Sequence, residues 1–170
     1  MRPISRQFES VREAFGDQGW HAEQIEDREV LQCMFDAYHT RVHVLAQTFT
    51  QLNALVIVGE SQIDMPDDRF DMLFELLMRA SKALTIGSFE FDFDRSVLVF
   101  KVSNLFDREL FDKDAISSMV HAAVAEIDRI TPYVNILGTT AQDLLPDLNI
   151  TRLLLRQDVL PKFEGEEEEI

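Results

Sequence analysis

Three groups of polar residues have types and spacings that could bind a metal ion or activate a nucleophile. The first group, Asp92, Asp94 and Ser96, matches the first three ligand positions of a calcium-binding loop. Such a loop also needs a glycine at its sixth position and a bidentate glutamate at its twelfth, where this chain has Val97 and Ser103. The mismatch favours a hairpin turn over a calcium site.

The other two groups contain the histidines. His39 and His43 are four residues apart, the spacing that brings two zinc ligands together on a helix, but here they flank a predicted strand turn. Ser117, Ser118 and His121 lie within one predicted helical turn. A serine nucleophile needs a base that a third group orients in a pocket, and an exposed helix face offers none. We therefore predict no catalytic residue and no metal ligand.

Cys33 is the only cysteine, so an intramolecular disulfide and a zinc site of several thiolates are both excluded. It lies in a run of alternating apolar and polar residues, which predicts a buried strand position rather than a nucleophile. The six glycines form no phosphate-binding loop. We expect no cofactor, and we expect that the chain is not an enzyme.

Acidic residues outnumber basic ones by 31 to 16, which gives a formal net charge of -15. A chain with this charge should be repelled by nucleic acid backbones and by anionic lipid surfaces. No apolar run reaches the length of about 18 residues that a membrane span needs, and the first residues lack a hydrophobic signal region. We therefore expect a cytoplasmic protein that binds neither nucleic acid nor membranes and whose partners are proteins.

The clearest local pattern is a hairpin followed by a long helix. Three phenylalanines alternate with three acidic residues over positions 89–94, which predicts a strand with an aromatic face and an acidic face. The next strand, at 97–102, is mostly apolar on both faces and should lie further inside the sheet. Phe91 and Phe100 are predicted to be buried. A helical stripe of apolar residues follows, and Pro132 should kink or end that helix.

The rest of the chain predicts an α+β domain, in which helices pack on an antiparallel sheet in the order helix, four strands, helix, two strands, helix. Short connections between the first four strands indicate an antiparallel meander. The elements before the hairpin are expected at 4–15 (helix), 20–25, 31–38, 42–49 and 54–58 (strands), and 64–84 (helix).

We predict one domain at 1–142, an extension at 143–163 that packs on this domain or on a partner, and a disordered acidic tail at 164–170. The extension contains three consecutive leucines, which span about 200° of a helix and cannot all face one groove. Either the segment packs on its own domain, or it contributes to a homodimer interface or a partner groove. The candidate partner-binding residues are Leu148, Leu153, Leu154 and Leu155.

Sequence motifs that resemble those of a known protein family lie in the hairpin and in the helix after it. They are the run at 87–92, the run at 97–101, and the helix positions Ala122, Glu126, Asp128, Arg129, Pro132 and Tyr133. With these motifs the stretch at 20–134 resembles the YbjN family of bacterial proteins, which has no established activity. The resemblance implies a fold like that of the type III secretion chaperones, which are small, acidic, often dimeric and bind extended segments of partner proteins.

We therefore expect a non-enzymatic protein-interaction module that is chaperone-like or regulatory, and that could form a homodimer. The alternative is a structural or small-ligand-sensing domain that holds its ligand in a groove between sheet and helices. The resemblance transfers no catalytic residue, because the family has none defined.

Overall fold

The structure, a computed structural model, describes residues 4–159, so the predicted disordered tail at 164–170 lies outside the described residues. The described range contains four helices and six strands. The helices are α1 (Arg6–Asp17), α2 (Phe70–Lys82), α3 (Lys113–Thr139) and α4 (Ile150–Leu154). The strands are β1 (Glu23–Gln24), β2 (Val30–Asp36), β3 (Arg41–Phe49), β4 (Ala54–Gln62), β5 (Ser88–Asp92) and β6 (Val97–Leu105). The predicted α+β order is confirmed, with α4 added after α3.

All six strands form one antiparallel sheet in the order β1-β2-β3-β4-β6-β5. The first four strands form the predicted meander. Strand β6 lies between β4 and β5, as its apolar residues on both faces predicted. Strand β5 is therefore at one edge of the sheet, and the two-residue strand β1 is at the other.

One face of the sheet packs against the helices and forms the core. Helix α3 contacts β3, β4 and β6, α1 lies beside it over β3, and α2 lies over β5. The core side chains of the sheet are completely buried at Val42, Val44, Ala46, Leu55, Ile57, Leu98 and Phe100. Cys33 is also buried on this face, as predicted, and burial raises the pKa of its thiol. This thiol is therefore protonated near neutral pH.

Helix and sheet approach each other closely where α3 meets Gly59 of β4. A Cβ atom added at Gly59 would lie 3.0 Å from the backbone oxygen of Ala123 and 3.3 Å from its Cβ. Glycine lets the helix backbone come this near, and Ala123 adds only a methyl group. Helix α3 begins at Asp112, whose carboxylate accepts the N–H of Ala115.

Pro132 does not end α3, which continues to Thr139. The missing N–H costs one helical hydrogen bond. After the proline, Tyr133, Val134 and Leu137 all bury their side chains in the core, and this burial supports another two turns of helix.

The first predicted strand is shorter than expected, because only Glu23 and Gln24 pair with β2. Trp20, predicted to begin that strand, lies before it and makes edge-to-face contacts with Phe15, Phe35 and His121. Trp20 therefore packs against side chains of α1, β2 and α3 and does not form part of a strand.

The other face of the sheet carries no helix within residues 4–159, and we call it the open face. Cross-strand register places Phe49, Ala54 and Leu105 in one row of this face, and Gln47, Val56 and Ser103 in the next. Its large exposed apolar side chains are those of Met34, Phe49 and Leu105.

A glycine to alanine substitution tests the close packing at the start of the hairpin. Gly87 has a φ of +72°, and an added Cβ would lie 2.4 Å from the ring of Phe100. We expect Gly87→Ala to lower the free energy of unfolding by at least about 2 kcal/mol in urea denaturation, because left-handed backbone strain and overpacking add. Gly16→Ala is the matched control, since no atom lies within 4 Å of its added Cβ. Equal midpoints for the two variants would contradict this packing.

Candidate functional site

The residues that resembled a calcium loop build the β5–β6 turn. The Asp92 carboxylate accepts the backbone N–H groups of Asp94 and Arg95, and it also accepts the Arg95 side chain at 2.7 Å. The hydrogen bond from the Arg95 side chain is the main cause that lowers the pKa of Asp92. Ser96 follows with a φ of 52°. The Asp92 carboxylate is thus engaged in hydrogen bonds within the hairpin, as the sequence predicted for a turn.

The two histidines of the possible zinc pair serve different contacts. The backbone N–H of His39 donates to the Asp128 carboxylate, which ties the β2–β3 turn to α3. The Nδ1 atom of His43 lies 3.6 Å from the Glu60 carboxylate on the open face. Within residues 4–159, no group of three or more His, Cys, Asp or Glu side chains is placed to hold a metal ion.

The serines and the histidine of α3 are also separated. The Ser117 hydroxyl donates to the Lys113 carbonyl at 2.7 Å, so it is bonded within the helix rather than to His121. The His121 ring contacts Trp20 instead. Ser118 lies on another side of the helix, in an open depression of about 390 Å³ between α3 and the end of β6. Its other lining residues are Ile86, Gly87, Val102, Ser103, Asn104, Ala115 and Met119.

The four candidate partner-binding leucines occupy different environments. Leu153 is only 3% exposed and belongs to the core, where α4 packs against α2. Leu148 and Leu154 are half-buried against the same core. Leu155 is 75% exposed. Of the set, Leu155 is therefore the residue whose side chain a partner could contact without rearrangement of α4.

A larger apolar surface lies where α2 meets β5, and we call it the aromatic edge. It consists of Phe70, Phe74, Met78, Phe91 and Phe93. Phe74 contacts Phe91 and Phe93 with ring centroids 6.1 and 5.3 Å apart. Phe91, predicted to be buried, is only half-buried, and Phe93 is 68% exposed because it lies in the turn beyond the end of β5. Phe100, by contrast, is fully buried as predicted.

The backbone of β5 forms the other part of this site. Its partner β6 lies on one side, and no other described strand pairs with it. The N–H of Phe89 donates to the Ser81 hydroxyl at 2.9 Å, so α2 covers the edge at that residue. In an antiparallel pair, alternate residues direct their backbone groups away from the partner strand, so those of Phe91 also point outward. Among the described side chains, none accepts from the N–H of Phe91.

Acidic residues border the aromatic edge. Asp71 lies one residue after Phe70 in the first turn of α2, and Asp94 follows Phe93. Both residues are exposed, and neither has a salt-bridge partner in the part of the chain that the structure describes. An apolar surface bordered by unpaired carboxylates favours a ligand with both apolar and basic groups.

On the open face, a partly buried ion pair holds the β5–β6 turn to the sheet. The Arg95 guanidinium donates to both oxygens of Glu60, at 2.7 and 3.2 Å, and the Glu60 side chain is only 10% exposed. The hydrogen bond of Arg95 to Glu60, followed by its hydrogen bond to Asp92, raises the pKa of the Arg95 guanidinium. This forked arrangement fixes the β5–β6 turn across β4 and thereby orients the aromatic edge.

Comparison with known proteins gives a likeness in fold. Neither a scan of protein families nor a search of curated proteins gives a match. Among solved structures, the chain is similar to the crystal structure of YbjN, a proposed transcription regulator from E. coli. The TM-score is 0.55 at 10% sequence identity, with 75% of this chain and 89% of that chain covered. This likeness shows a YbjN-like fold. The described residues also contain no helix long and apolar enough to cross a membrane.

The sequence predicted a helix at 64–84, but that prediction did not identify the aromatic edge. The signal was present, because Phe70, Phe74 and Met78 are spaced by four and form a second apolar stripe. Two apolar stripes on one helix exceed what a single core contact requires.

The Glu60 ion pair can be tested by removal of its cation. We expect Arg95→Ala to lower the free energy of unfolding by about 1–3 kcal/mol, because Glu60 would keep a desolvated carboxylate without its main partner. Arg79→Ala is the matched control, since Arg79 pairs with the half-exposed Glu75 on the surface of α2 and should contribute about 0.5 kcal/mol. Chemical denaturation measures both, and equal losses would refute the special role of Arg95.

Proposed function

We propose that the chain is a non-enzymatic protein-interaction module that binds an extended segment of a partner protein along the aromatic edge. The observation that carries this proposal is the half-paired strand β5 beside exposed aromatic side chains. An extended peptide that joins a sheet edge gains affinity from backbone hydrogen bonds and specificity from pockets for alternate side chains. Near Phe91, strand β5 offers the backbone hydrogen bonds. The side chains of Phe74, Met78 and Phe93 offer the surface on which alternate side chains of the peptide can pack.

The charges of the site define the chemistry of the segment. Asp71 and Asp94 border the apolar surface, and the whole chain has a net charge of -15. The partner segment should therefore alternate apolar side chains, which pack on the aromatic edge, with lysine or arginine. A basic segment would also associate faster with so acidic a surface.

The proposed role is chaperone-like or regulatory. YbjN, a structural neighbour of this chain, is described as a proposed transcription regulator. Direct contact with DNA would oppose the charge of this chain, so we propose that any regulation acts through a protein partner. Membership of the YbjN family is part of the proposal and is supported by the fold together with the motifs at 87–92 and 97–101.

A second candidate function is the sensing of a small ligand between sheet and helices. The depression beside Ser118 supports it, because about 390 Å³ falls within the usual range of ligand sites and polar groups of Ser103, Asn104 and Ser118 lie among apolar ones. A ligand bound there should lose affinity in Ser118→Tyr, which fills the depression, and should bind normally to variants of the aromatic edge.

Peptide selection tests the primary proposal without a known partner. A displayed library of random peptides of about ten residues, selected on the full chain, should enrich sequences that alternate apolar and basic residues. For an enriched peptide, we expect Phe93→Ser to raise the Kd at least about tenfold, measured by fluorescence anisotropy, because an exposed aromatic anchor is lost.

Two controls distinguish binding by strand pairing from nonspecific hydrophobic binding. Leu110→Ser removes a side chain that is 73% exposed outside this site, and it should leave the Kd unchanged. N-methylation of alternate backbone nitrogens in the peptide should abolish binding in one register and spare it in the other. Enriched peptides that bind equally to Phe93→Ser, or that tolerate N-methylation in both registers, would overturn the proposed mode.

A further inference from the structure

The open face of the sheet is a second apolar surface, distinct from the aromatic edge. We propose that it packs against the open face of a second copy of this chain, so that two sheets stack in a homodimer. Phe49 and Leu105 flank the small Ala54 in one cross-strand row, and this leaves an open depression of about 630 Å³. The depression is also lined by Leu52, Val56, Ser103 and Asn104.

The charge distribution identifies a second copy as the occupant. The two rows nearest the depression carry no charged side chain on β2, β3, β4 or β6. Over its full length on these four strands, the open face carries two acidic residues, Asp36 and Glu60, and two basic ones, Arg41 and Lys101. Both carboxylates are paired with arginine. The outer strands β1 and β5 add acidic residues at the two edges of this face, whereas its four central strands have no net charge in a chain of net charge -15. Two copies can therefore meet over these central strands without like-charge repulsion.

The size of the face agrees with a stable dimer. Strands β3, β4 and β6 have nine residues each and β2 has seven. With a spacing of about 4.8 Å between strands and a rise of about 3.3 Å per residue, they cover about 540 Å². Burial of this face on both copies removes about 1,100 Å² of surface, just above the roughly 1,000 Å² that a specific interface needs. Two stacked sheets with interdigitating side chains are a common packing in proteins.

The dimer would leave both aromatic edges accessible. The rings of Phe91 and Phe93 contact α2 and therefore lie on the helix side of the sheet. A dimer through the open faces places the two helix layers outside, where each could bind one partner segment.

Sedimentation velocity of the full chain across a dilution series tests this interface. We expect a dimer for the wild type, and at least about a hundredfold higher dimer Kd for Leu105→Glu, since two carboxylates would be buried at one interface. Leu105 is 73% exposed, so the substitution should leave the far-UV circular dichroism of the protomer unchanged. Leu155→Glu is the matched control at 75% exposure and should remain dimeric.

The outcomes are decisive for the interface. Loss of the dimer in Leu105→Glu alone supports the proposal. A monomeric wild type, a dimer that survives Leu105→Glu, or loss of the dimer in Leu155→Glu would overturn it, and the last result would assign the interface to the C-terminal leucines. Peptide binding at the aromatic edge is measured separately, so failure of one proposal leaves the other testable.

Discussion

The contact of α3 with the central strand β4 is the constraint on which the rest of the structure depends. Gly59 lets the Ala123 backbone lie so near the sheet that even an added methyl group would make contacts tighter than ordinary van der Waals distances, and α3 then occupies the middle of one face. Helices α1 and α2 fill the positions beside it. Because α1, α2 and α3 pack on this one face and α4 packs on α2, the opposite face carries no helix within residues 4–159. The outer edge of β5 likewise has no strand partner among the described residues.

The proposed interactions use these two surfaces. Asp92 and Ser117, which had suggestive spacings, form hydrogen bonds within a turn and a helix, and the His43 ring lies 3.6 Å from the Glu60 carboxylate. Apolar side chains, by contrast, remain exposed in two places that differ in charge. The aromatic edge has unpaired carboxylates beside it, as the proposed basic segment requires. The four central strands of the open face carry equal numbers of acidic and basic side chains, as the proposed dimer requires.

Sequence periodicity predicted the elements well, because alternation and helical stripes directly reflect which side chains are buried. It could not show that Phe93 lies beyond the end of β5, since the alternation continues into the turn. Nor could it locate the pair of Arg95 with Glu60, which are 35 residues apart and meet only after β4 pairs with β6. Strand β4 is apolar on both faces, so its sequence pattern does not indicate which face the helices cover.

The central claim is that the open face is an apolar surface that another copy of the chain covers. Intermolecular nuclear Overhauser effects in a mixture of methyl-labelled and unlabelled protein test it most directly. The account predicts contacts from the methyl groups of Val56, Val58 and Leu105 to aromatic protons of Phe49 on the other copy. Absence of such contacts at concentrations where the protein is dimeric, or intermolecular contacts from Leu155 in their place, would contradict the account.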